Sequence, residues 1–193
     1  MAATAQRSEA EAAEAVLDMN RLILGAIGAF GLSVAATGGM AQESSNRVAA
    51  NTDWSLFVEN NPTECWSVSS PKETVNTRNG RAVAVKRSDI LLFVSYRPGN
   101  DVKGEVSFTG GYPFAPGSTL DMSIGSNSFQ LFTDGEWAWA ASPADDAKII
   151  KAMKGGAKAV LSAQSARGTK TQDTFSLLGF TAAVDEAGKR CSG

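Results

Sequence analysis

The alternation of apolar and polar positions along this chain predicts β-strands over most of its length. From Trp54 onward, segments rich in β-branched and aromatic residues recur about every ten residues, separated by Gly, Pro, Asn and Asp. This spacing is typical of an antiparallel β-sandwich or a barrel-like sheet. The chain is therefore predicted to be mainly β, with strands at 54–58, 65–69, 81–85, 90–96, 104–108, 120–124, 129–133, 157–162 and 171–175.

Two segments have a helical period instead. Residues 143–154 follow Ser142, a residue type that caps helices, and begin with Pro143 at the first helical position. Acids lie at the start of this segment and lysines toward its end, as the helix dipole favours. Residues 180–189 form the second predicted helix, near the C-terminus. Its apolar positions share one helical face and are Phe180, Ala183, Val184 and Ala187.

The segment FTDGEWAW, residues 132–139, combines two acids with three aromatic rings, as a sugar-cleaving cleft would. Asp134-Gly135 between two alternating runs predicts a two-residue hairpin turn instead, which pairs Phe132 with Trp137. Glu136 then faces away from Trp137, because adjacent strand residues point to opposite sides of a sheet. The two acids are not expected to converge on one bond, as a glycosidase pair must.

Three aromatic residues of this hairpin are the main candidates for ligand binding. Phe132, Trp137 and Trp139 are expected on the sheet face opposite the core residues of the same strands. Either the following helix covers them, or they form an exposed aromatic platform for a protein, glycan or lipid ligand. Tyr112, in the breaker-rich loop GYPFAPG at 111–117, is a further candidate because binding residues often lie on such loops.

The composition excludes several kinds of site. The chain has no histidine, which removes Ser-His-Asp and Cys-His nucleophile systems and His-ligated zinc or copper. Neither a glycine-rich phosphate loop nor a Cys-x-x-Cys pair occurs. Asp145 and Asp146 are interpreted as acids that interact with the positive end of the helix dipole, in preference to ligands of a metal ion. We therefore predict no catalytic residue, no metal and no cofactor. A modest basic group is interpreted as a solvated face, and comprises Arg78, Arg81, Lys86 and Arg87.

An apolar segment near the N-terminus predicts export. Residues 22–41 form an uncharged run that follows Arg21 and ends in small residues at both positions that a signal peptidase reads. We interpret residues 19–41 as a secretory signal peptide that is cleaved after Ala41. The alternative is a retained membrane anchor, since about 20 apolar residues suffice to span a bilayer.

The residues before this signal do not fit an export sequence. Residues 1–18 carry four acids ahead of the apolar run, and negative charge there has the wrong sign for a signal peptide. We interpret them as a mis-assigned extension, with translation starting at Met19. The alternative is a genuine amphipathic helix over residues 8–17, whose composition favours helix formation.

The exported part is expected to be a polar lead-in, residues 42–51, followed by a single β domain, residues 52–193. Removing residues 1–41 takes away two of the 18 basic and four of the 20 acidic residues, which leaves 16 of each. A charge near zero argues against nucleic acid as a partner. Membrane contact is expected only through an uncleaved signal segment. We expect residence in the periplasm or outer membrane of a Gram-negative bacterium.

The two cysteines, Cys65 and Cys191, both lie in the part predicted to be exported. An even pair in an oxidising compartment most simply forms one disulfide. The alternative is two unpaired buried thiols.

The stretch DTFSLLGFTAAVDEA, residues 173–187, resembles the closing signature of the invasion-associated locus B family, exported proteins of alphaproteobacteria. Residues 134–156 resemble the family's segment in which a turn leads into a helix, and ECWSVS at 64–69 resembles part of its opening strand pair. The resemblance covers most of residues 52–190. Members tend to end in a strand, a Ser-Leu-x-Gly-Phe-Thr turn and a short helix, where this chain has Ser176, Leu177, Gly179, Phe180 and Thr181.

This chain also departs from the family pattern. Many members have cysteine in the first strand and around the Asp-Gly turn, where this chain has Phe57 or Val58 and Glu136. Family disulfides are therefore not carried over, and the pattern supplies no catalytic residue to match. The resemblance implies an envelope protein. The founding member is tied to entry into host cells, a role that need not apply here.

The expected function is thus that of a non-enzymatic exported envelope protein with a binding or structural role. Its partner would be an envelope protein, a glycan or a lipid. The alternative is a histidine-free enzyme that acts on cell-wall glycan through carboxylates such as Asp121, Asp134 and Glu136. Two exposed acids about 5–10 Å apart in one cleft would favour that alternative.

Overall fold

The computed structural model of the protein describes residues 46–191. The predicted N-terminal extension (1–18) and signal peptide (19–41) lie outside the described residues, as do the first residues of the predicted lead-in (42–51). The end of that lead-in is not irregular, since residues 47–51 form a strand at the edge of the sheet.

The described residues form one antiparallel sheet of twelve strands. In chain order these are β1 Arg47–Asn51, β2 Trp54–Asn60, β3 Thr63–Ser69, β4 Glu73–Arg78, β5 Arg81–Ala82, β6 Leu91–Arg97, β7 Val102–Thr109, β8 Thr119–Ile124, β9 Asn127–Asp134, β10 Trp137–Trp139, β11 Lys158–Gln164 and β12 Lys170–Ser176. Across the sheet they pair in the order β1-β2-β3-β6-β7-β10-β9-β8-β11-β12-β4-β5. A short 3₁₀ turn, Pro98–Asn100, joins β6 to β7.

The sheet curls so that distant strands meet across its inner face. Phe108 on β7 and Phe175 on β12 are five strands apart in the sheet, yet their ring centroids are 6.0 Å apart. Strands lie about 4.8 Å from their neighbours, so a flat sheet would separate these rings by about 24 Å. The end strands β1 and β5 do not pair with each other, so the sheet is not a closed barrel. The predicted mainly β fold, an antiparallel β-sandwich or barrel-like sheet, is confirmed, and it takes the form of one open, curled antiparallel sheet.

The two predicted helices are present, as α1 Pro143–Gly155 and α2 Phe180–Cys191. Both pack on the inner face, where Ile149 and Met153 of α1 and Phe180 and Val184 of α2 join the main core. Removing these apolar faces from water stabilises the fold by about 1.5–3 kcal/mol for each large side chain that is fully buried. Among the described residues, no helix has the length and apolar character needed to span a bilayer.

The start of α1 is held by two polar contacts. The hydroxyl of Ser142 accepts a hydrogen bond from the backbone N–H of Asp145 at 3.2 Å, as the sequence predicts for a cap. Asp146 is buried, and its carboxylate accepts a hydrogen bond from the backbone N–H of Val106 at 2.8 Å. Burial raises the pKa of Asp146 above its ordinary value, and the charges of Glu105 and Asp145 add to this, while the bond from Val106 opposes it. Asp146 therefore joins α1 to β7 at an electrostatic cost.

The end of α2 is tied to the sheet by a disulfide between Cys65 and Cys191. The two Cα atoms are 5.9 Å apart, although 126 positions separate the residues in the chain. Both cysteines are buried in a small second core, beside Leu56 and Ala187. The pairing predicted from the sequence is therefore present, and it fixes the last turn of α2 against β3.

One region differs from the predicted strands. The sequence pattern predicts a strand over residues 81–85, but only Arg81–Ala82 is extended and residues 83–90 are irregular. The preceding strand β4, Glu73–Arg78, was not predicted, because it lies near the edge of the sheet and is exposed along most of its length. A strand without a buried face does not need the apolar alternation that reveals strands in sequence.

Candidate functional site

Six aromatic side chains form a stripe across the outer face of the sheet, which is the face opposite the two helices. The stripe crosses the six adjacent strands β2, β3, β6, β7, β10 and β9, about 24 Å measured along the curved sheet. Its members are only partly buried, and the exposed fraction reaches 48% for Phe132 and 39% for Trp137. In order across the sheet, this aromatic stripe consists of Phe57, Trp66, Phe93, Trp137, Trp139 and Phe132.

The rings of the stripe contact one another in two groups, Phe57 with Trp66 and the other four together. The rings of Phe57 and Trp66 stack with centroids 5.7 Å apart and planes 4° apart. Those of Trp137 and Trp139 lie 6.2 Å and 20° apart, and Phe132 lies 5.5 Å from Trp139. Aromatic pairs add about 0.5–1.5 kcal/mol beyond the burial of their area. The rings therefore hold one another in place and form a surface that exists before any ligand binds.

A depression of about 400 Å³ interrupts the stripe between Trp66 and the tryptophans of β10. The intervening strands carry small residues there, since Ser95 pairs with Trp66 and Ser107 pairs with Trp139. Serine side chains are short, so they leave space between the bulky rings on either side. We call this depression the aromatic trough. Its remaining lining residues are Glu64, Phe93, Arg97, Glu105 and Trp137.

Polar groups border the trough. Arg97 Nη2 lies 2.7 Å from Glu105 Oε1, and the two side chains are 28% and 32% exposed. An ion pair this accessible contributes little to stability, about 0–1 kcal/mol. Both groups nevertheless lie within reach of a bound molecule, together with the carboxylate of Glu64 and the hydroxyl of Ser95. The trough thus offers aromatic carbon and hydrogen-bonding groups side by side.

The hairpin of β9 and β10 carries half of the stripe, in a register different from the predicted one. The turn is Gly135-Glu136, one residue later than predicted, so that Phe132 pairs with Trp139 and not with Trp137. Gly135 has a φ of 57°, a value suited to the first position of a type II′ hairpin turn. The partner of Phe132 shifts by two positions, and because strands alternate with a period of two, the rings stay on the predicted face.

The helix that follows the hairpin does not cover these rings. Ile149 and Met153 of α1 belong to the core on the inner face, and Leu131 and Ala138 of the hairpin belong to the same core. The interpretation in which α1 covers the aromatic rings is therefore wrong. The exposure of Phe132 agrees with the other interpretation, in which the rings form an accessible aromatic platform. That this platform binds a ligand stays a prediction.

Tyr112, the fourth candidate binding residue, does not join the stripe. Its ring lies 5.1 Å from that of Phe114 and 4.9 Å from the guanidinium carbon of Arg87. Its hydroxyl is hydrogen-bonded to the Thr171 hydroxyl at 2.5 Å. Burial raises the pKa of Tyr112, while the bond to Thr171 and the charge of Arg87 act in the opposite direction. The residue lines a separate cavity of about 270 Å³.

The three candidate catalytic carboxylates do not come together. Asp121 lines a cavity of about 620 Å³ and accepts a hydrogen bond from Gln130. Glu136 lines the different cavity of about 270 Å³, and Asp134 lies exposed at the end of β9. Asp121, Asp134 and Glu136 therefore provide no pair across one cleft. Within residues 46–191, no group of three or more His, Cys, Asp or Glu side chains is placed to hold a metal ion.

The other half of the stripe, Phe57, Trp66 and Phe93, was not predicted from the sequence as part of a site. Phe57 and Trp66 lie on strands that were predicted, and each alternates with buried neighbours, Leu56 and Cys65 respectively. That alternation was enough to assign both rings to an outer face. Alternation could not show that these rings lie near the β9–β10 hairpin. Their approach depends on the pairing of β3 with β6 and of β7 with β10, and these strands are far apart in the chain.

The fold and this surface define a mainly β protein with a single curled sheet, one covered face and one aromatic open face. The family model described as "Invasion associated locus B (IalB) protein" matches residues 54–188, and the chain belongs to this family. The resemblance stated from the sequence is thereby confirmed.

One solved structure illustrates the similarity to known proteins. The crystal structure of invasion associated protein B from Bartonella henselae is 14% identical in sequence, with a TM-score of 0.49, and the match covers 72% of this chain and 94% of that chain. No curated protein sequence matches this chain significantly.

Proposed function

We propose that this protein is a non-enzymatic, exported component of the cell envelope that binds a linear cell-wall glycan in the aromatic trough. The observation that carries the proposal is the trough itself, in which Trp66, Phe93, Trp137 and Trp139 surround a depression that also contains serine and charged side chains. Membership of the invasion-associated locus B family agrees with an envelope role.

A glycan suits this surface better than a lipid chain does. Sugar rings have apolar C–H faces that pack on aromatic rings, and hydroxyl edges that need hydrogen-bond partners. The trough supplies both within a few ångströms, since Ser95 and the Arg97–Glu105 pair border the tryptophans. A lipid chain would remove these polar groups from water without replacing the hydrogen bonds that water makes to them, which costs free energy. The stripe is also elongated, about 24 Å measured along the curved sheet in the direction that crosses the strands, which fits an extended polymer.

A binding role is favoured over catalysis by the placement of the acids. Asp121, Asp134 and Glu136 do not share a cleft, whereas glycoside hydrolysis requires two carboxylates on either side of one bond. Glu64 and Glu105 do lie at the trough, but Glu105 is paired with Arg97. We therefore propose that the glycan is held and not cleaved.

Export is the second part of the proposal. The apolar run that ends at Ala41 supports it, and so does the disulfide between Cys65 and Cys191, because structural disulfides persist mainly in oxidising compartments. Mass spectrometry of the protein from an envelope fraction is expected to find Gln42 at the N-terminus. An intact N-terminus at Met1 or Met19 would contradict cleavage and favour the retained anchor.

Glycan binding is tested by co-sedimentation with purified peptidoglycan sacculi. The wild-type protein is expected to sediment with the sacculi, and the Trp137→Ala and Trp139→Ala variants are expected to remain in solution. Loss of a central aromatic contact typically costs about 2 kcal/mol or more of binding free energy, a factor of about 30 in affinity. Leu178→Ala is the matched control, since Leu178 is 62% exposed and lies outside the trough. Equal sedimentation of all four proteins would contradict the proposal.

A further inference from the structure

A second cavity, of about 270 Å³, lies apart from the aromatic trough, and four basic side chains contribute to its lining. Five separate segments contribute to it: the end of β4, the irregular residues 83–90, the loop after β7, the β9–β10 turn and the β11–β12 turn. We call it the basic pocket. The charged and aromatic residues that line it are Arg78, Lys86, Arg87, Tyr112, Glu136 and Arg167.

One wall of the basic pocket is fixed by a buried ion pair. The guanidinium of Arg87 donates to both carboxylate oxygens of Asp173, at 2.8 and 2.6 Å, and its Nε donates to the carbonyl oxygen of Gly110 at 2.8 Å. The Tyr112 ring packs against the same guanidinium and is anchored through its hydroxyl to Thr171. The charge of Arg87 is therefore neutralised by Asp173 within the fold. Arg87 holds this wall of the pocket in position, but it supplies no free positive charge to a ligand.

The other three cations of the pocket are not neutralised in this way. Among residues 46–191, no carboxylate oxygen lies within 4.0 Å of the charged nitrogens of Arg78, Lys86 or Arg167. Arg78 donates only to a neutral group, the hydroxyl of Thr169, at 2.7 Å. Glu136 is the single acid among the charged lining residues, so the uncommitted charges sum to 3 − 1 = +2.

The rim of the pocket is held together by backbone hydrogen bonds between the segments that carry these charges. The N–H of Ser88 donates to the carbonyl oxygen of Gly111 at 3.1 Å, and the N–H of Ala166 donates to the carbonyl oxygen of Pro113 at 2.9 Å. The N–H of Gly110 donates to the backbone carbonyl oxygen of Glu136 at 3.3 Å. Cations on a merely solvated face would be free to separate, whereas here the chain brings three of them to one concavity. Like charges gathered in this way favour the binding of an anion.

We propose that the basic pocket binds a phosphate group, either as a free phosphate or as the phosphomonoester of a small molecule or lipid headgroup. The uncommitted charge of +2 is opposite in sign and close in size to the charge of a phosphomonoester, which is about −1.5 to −2 at pH 7. Guanidinium groups suit phosphate because they donate two parallel hydrogen bonds. The volume admits a phosphate with a few further atoms. The proposal is independent of glycan binding, since the two sites share no lining residue.

The test is calorimetric titration of the purified, disulfide-bonded protein with inorganic phosphate at constant ionic strength, with chloride as the reference anion. Glycerol 3-phosphate and vesicles containing phosphatidic acid form two further arms, which distinguish a soluble ester from a headgroup. Binding of phosphate is expected, and the Lys86→Gln/Arg167→Gln double variant is expected to weaken it by about 30-fold or more. Both residues are exposed, so the variant is expected to fold.

The matched control is the Lys158→Gln/Lys189→Gln double variant, which removes the same charge from exposed positions outside the pocket. Its affinity for phosphate is expected to stay within about twofold of wild type. No binding by the wild-type protein in any arm would overturn the proposal. An equal loss in both double variants would also overturn it, because the attraction would then arise from net charge and not from the pocket.

Discussion

Arg87 and Asp173 form a two-point ion pair across 86 positions of the chain, with side chains only 6% and 1% exposed. Arg87 lies in the irregular residues 83–90 and Asp173 lies in the middle of β12. The pair therefore joins the segment that leads into β6 to the far side of the curled sheet. The sequence pattern grouped Arg87 with a solvated basic face, and that interpretation is wrong for this residue.

Breaking this pair from one side is expected to destabilise the fold strongly. Arg87→Ala would leave the Asp173 carboxylate buried without its partner, a change that costs about 3–5 kcal/mol of unfolding free energy. Arg190→Ala is the control, because its pair with Glu186 is 45% and 38% exposed and is worth about 0–1 kcal/mol. Urea denaturation measures both. A loss below about 1 kcal/mol in Arg87→Ala would show that the pair does not hold residues 83–90 in place.

Gly179, in the turn before α2, is expected to tolerate no side chain. Its φ is 87°, and a Cβ atom there would lie 1.9 Å from the carbonyl oxygen of Asn51 on β1. Gly168 is a matched control, with a φ of 78° and no atom within 4 Å of its Cβ position. Gly168→Ala is expected to lower the free energy of unfolding by about 1–2 kcal/mol, because its only cost is a non-glycine residue in the left-handed backbone conformation. Gly179→Ala is expected to cost about 1–3 kcal/mol more, through overpacking. Equal melting temperatures of the two variants would contradict the close contact with β1.

The disulfide is expected to stabilise the C-terminal end of the fold most. Cys191→Ser opens a long loop, which costs about 2–4 kcal/mol of unfolding free energy. Terminal segments fray when they are not held, so hydrogen exchange should accelerate in residues 180–191 more than in β6 and β7. Reduction of the wild-type protein should reproduce both effects. Uniform acceleration across the sheet would instead indicate that the bond supports the whole core.

Asp145 and Asp146 are adjacent but are expected to respond to pH in opposite ways. Burial raises the pKa of Asp146 above 3.8, so its favourable contribution is present at low pH and is lost as pH rises through the raised value. The hydrogen bond from Lys148, followed by that from Ser142, lowers the pKa of Asp145, so its contribution appears above pH 3.8 and is lost on acidification.

Asparagine variants separate these two effects. Relative to wild type, Asp146→Asn should gain stability as pH rises from about 3 to 7, because the amide oxygen can still accept the bond from Val106 without burying a charge. Asp145→Asn should lose relative stability over the same range. Unfolding free energies at several pH values measure both trends. Parallel trends in the two variants would contradict the assigned environments.

Prediction from the sequence succeeded where local signals were strong and consistent. The helix at Pro143 was predictable because capping, proline placement and charge order all agree there, and the disulfide followed from two cysteines in a chain expected to be exported. It failed at β4, where an exposed strand has no apolar period. It also failed at Arg87, because an arginine that will be buried by a distant aspartate has no distinguishing neighbours in the chain.

The candidate site was predictable only in part for a similar reason. Alternation within β9 and β10 placed Phe132, Trp137 and Trp139 on one face, and the structure agrees. The opposite wall of the trough comes from Trp66, whose approach depends on the order of β3, β6, β7 and β10 in the sheet. Strand order is set by packing of the whole domain, so no local pattern contained it.

The central claim, glycan binding in the aromatic trough, is tested most directly by the four tryptophan indole N–H signals in a nitrogen-resolved NMR spectrum. Trp66, Trp137 and Trp139 line the trough, whereas Trp54 is 1% exposed and its indole donates to the carbonyl oxygen of Ser176 at 3.0 Å. The probe is the tetrasaccharide of β-1,4-linked N-acetylglucosamine, at about 10 mM, which would nearly saturate a site with a Kd of about 1 mM. Glycan binding in the trough is expected to move the three trough signals and to leave that of Trp54 in place. Three stationary trough signals would contradict it.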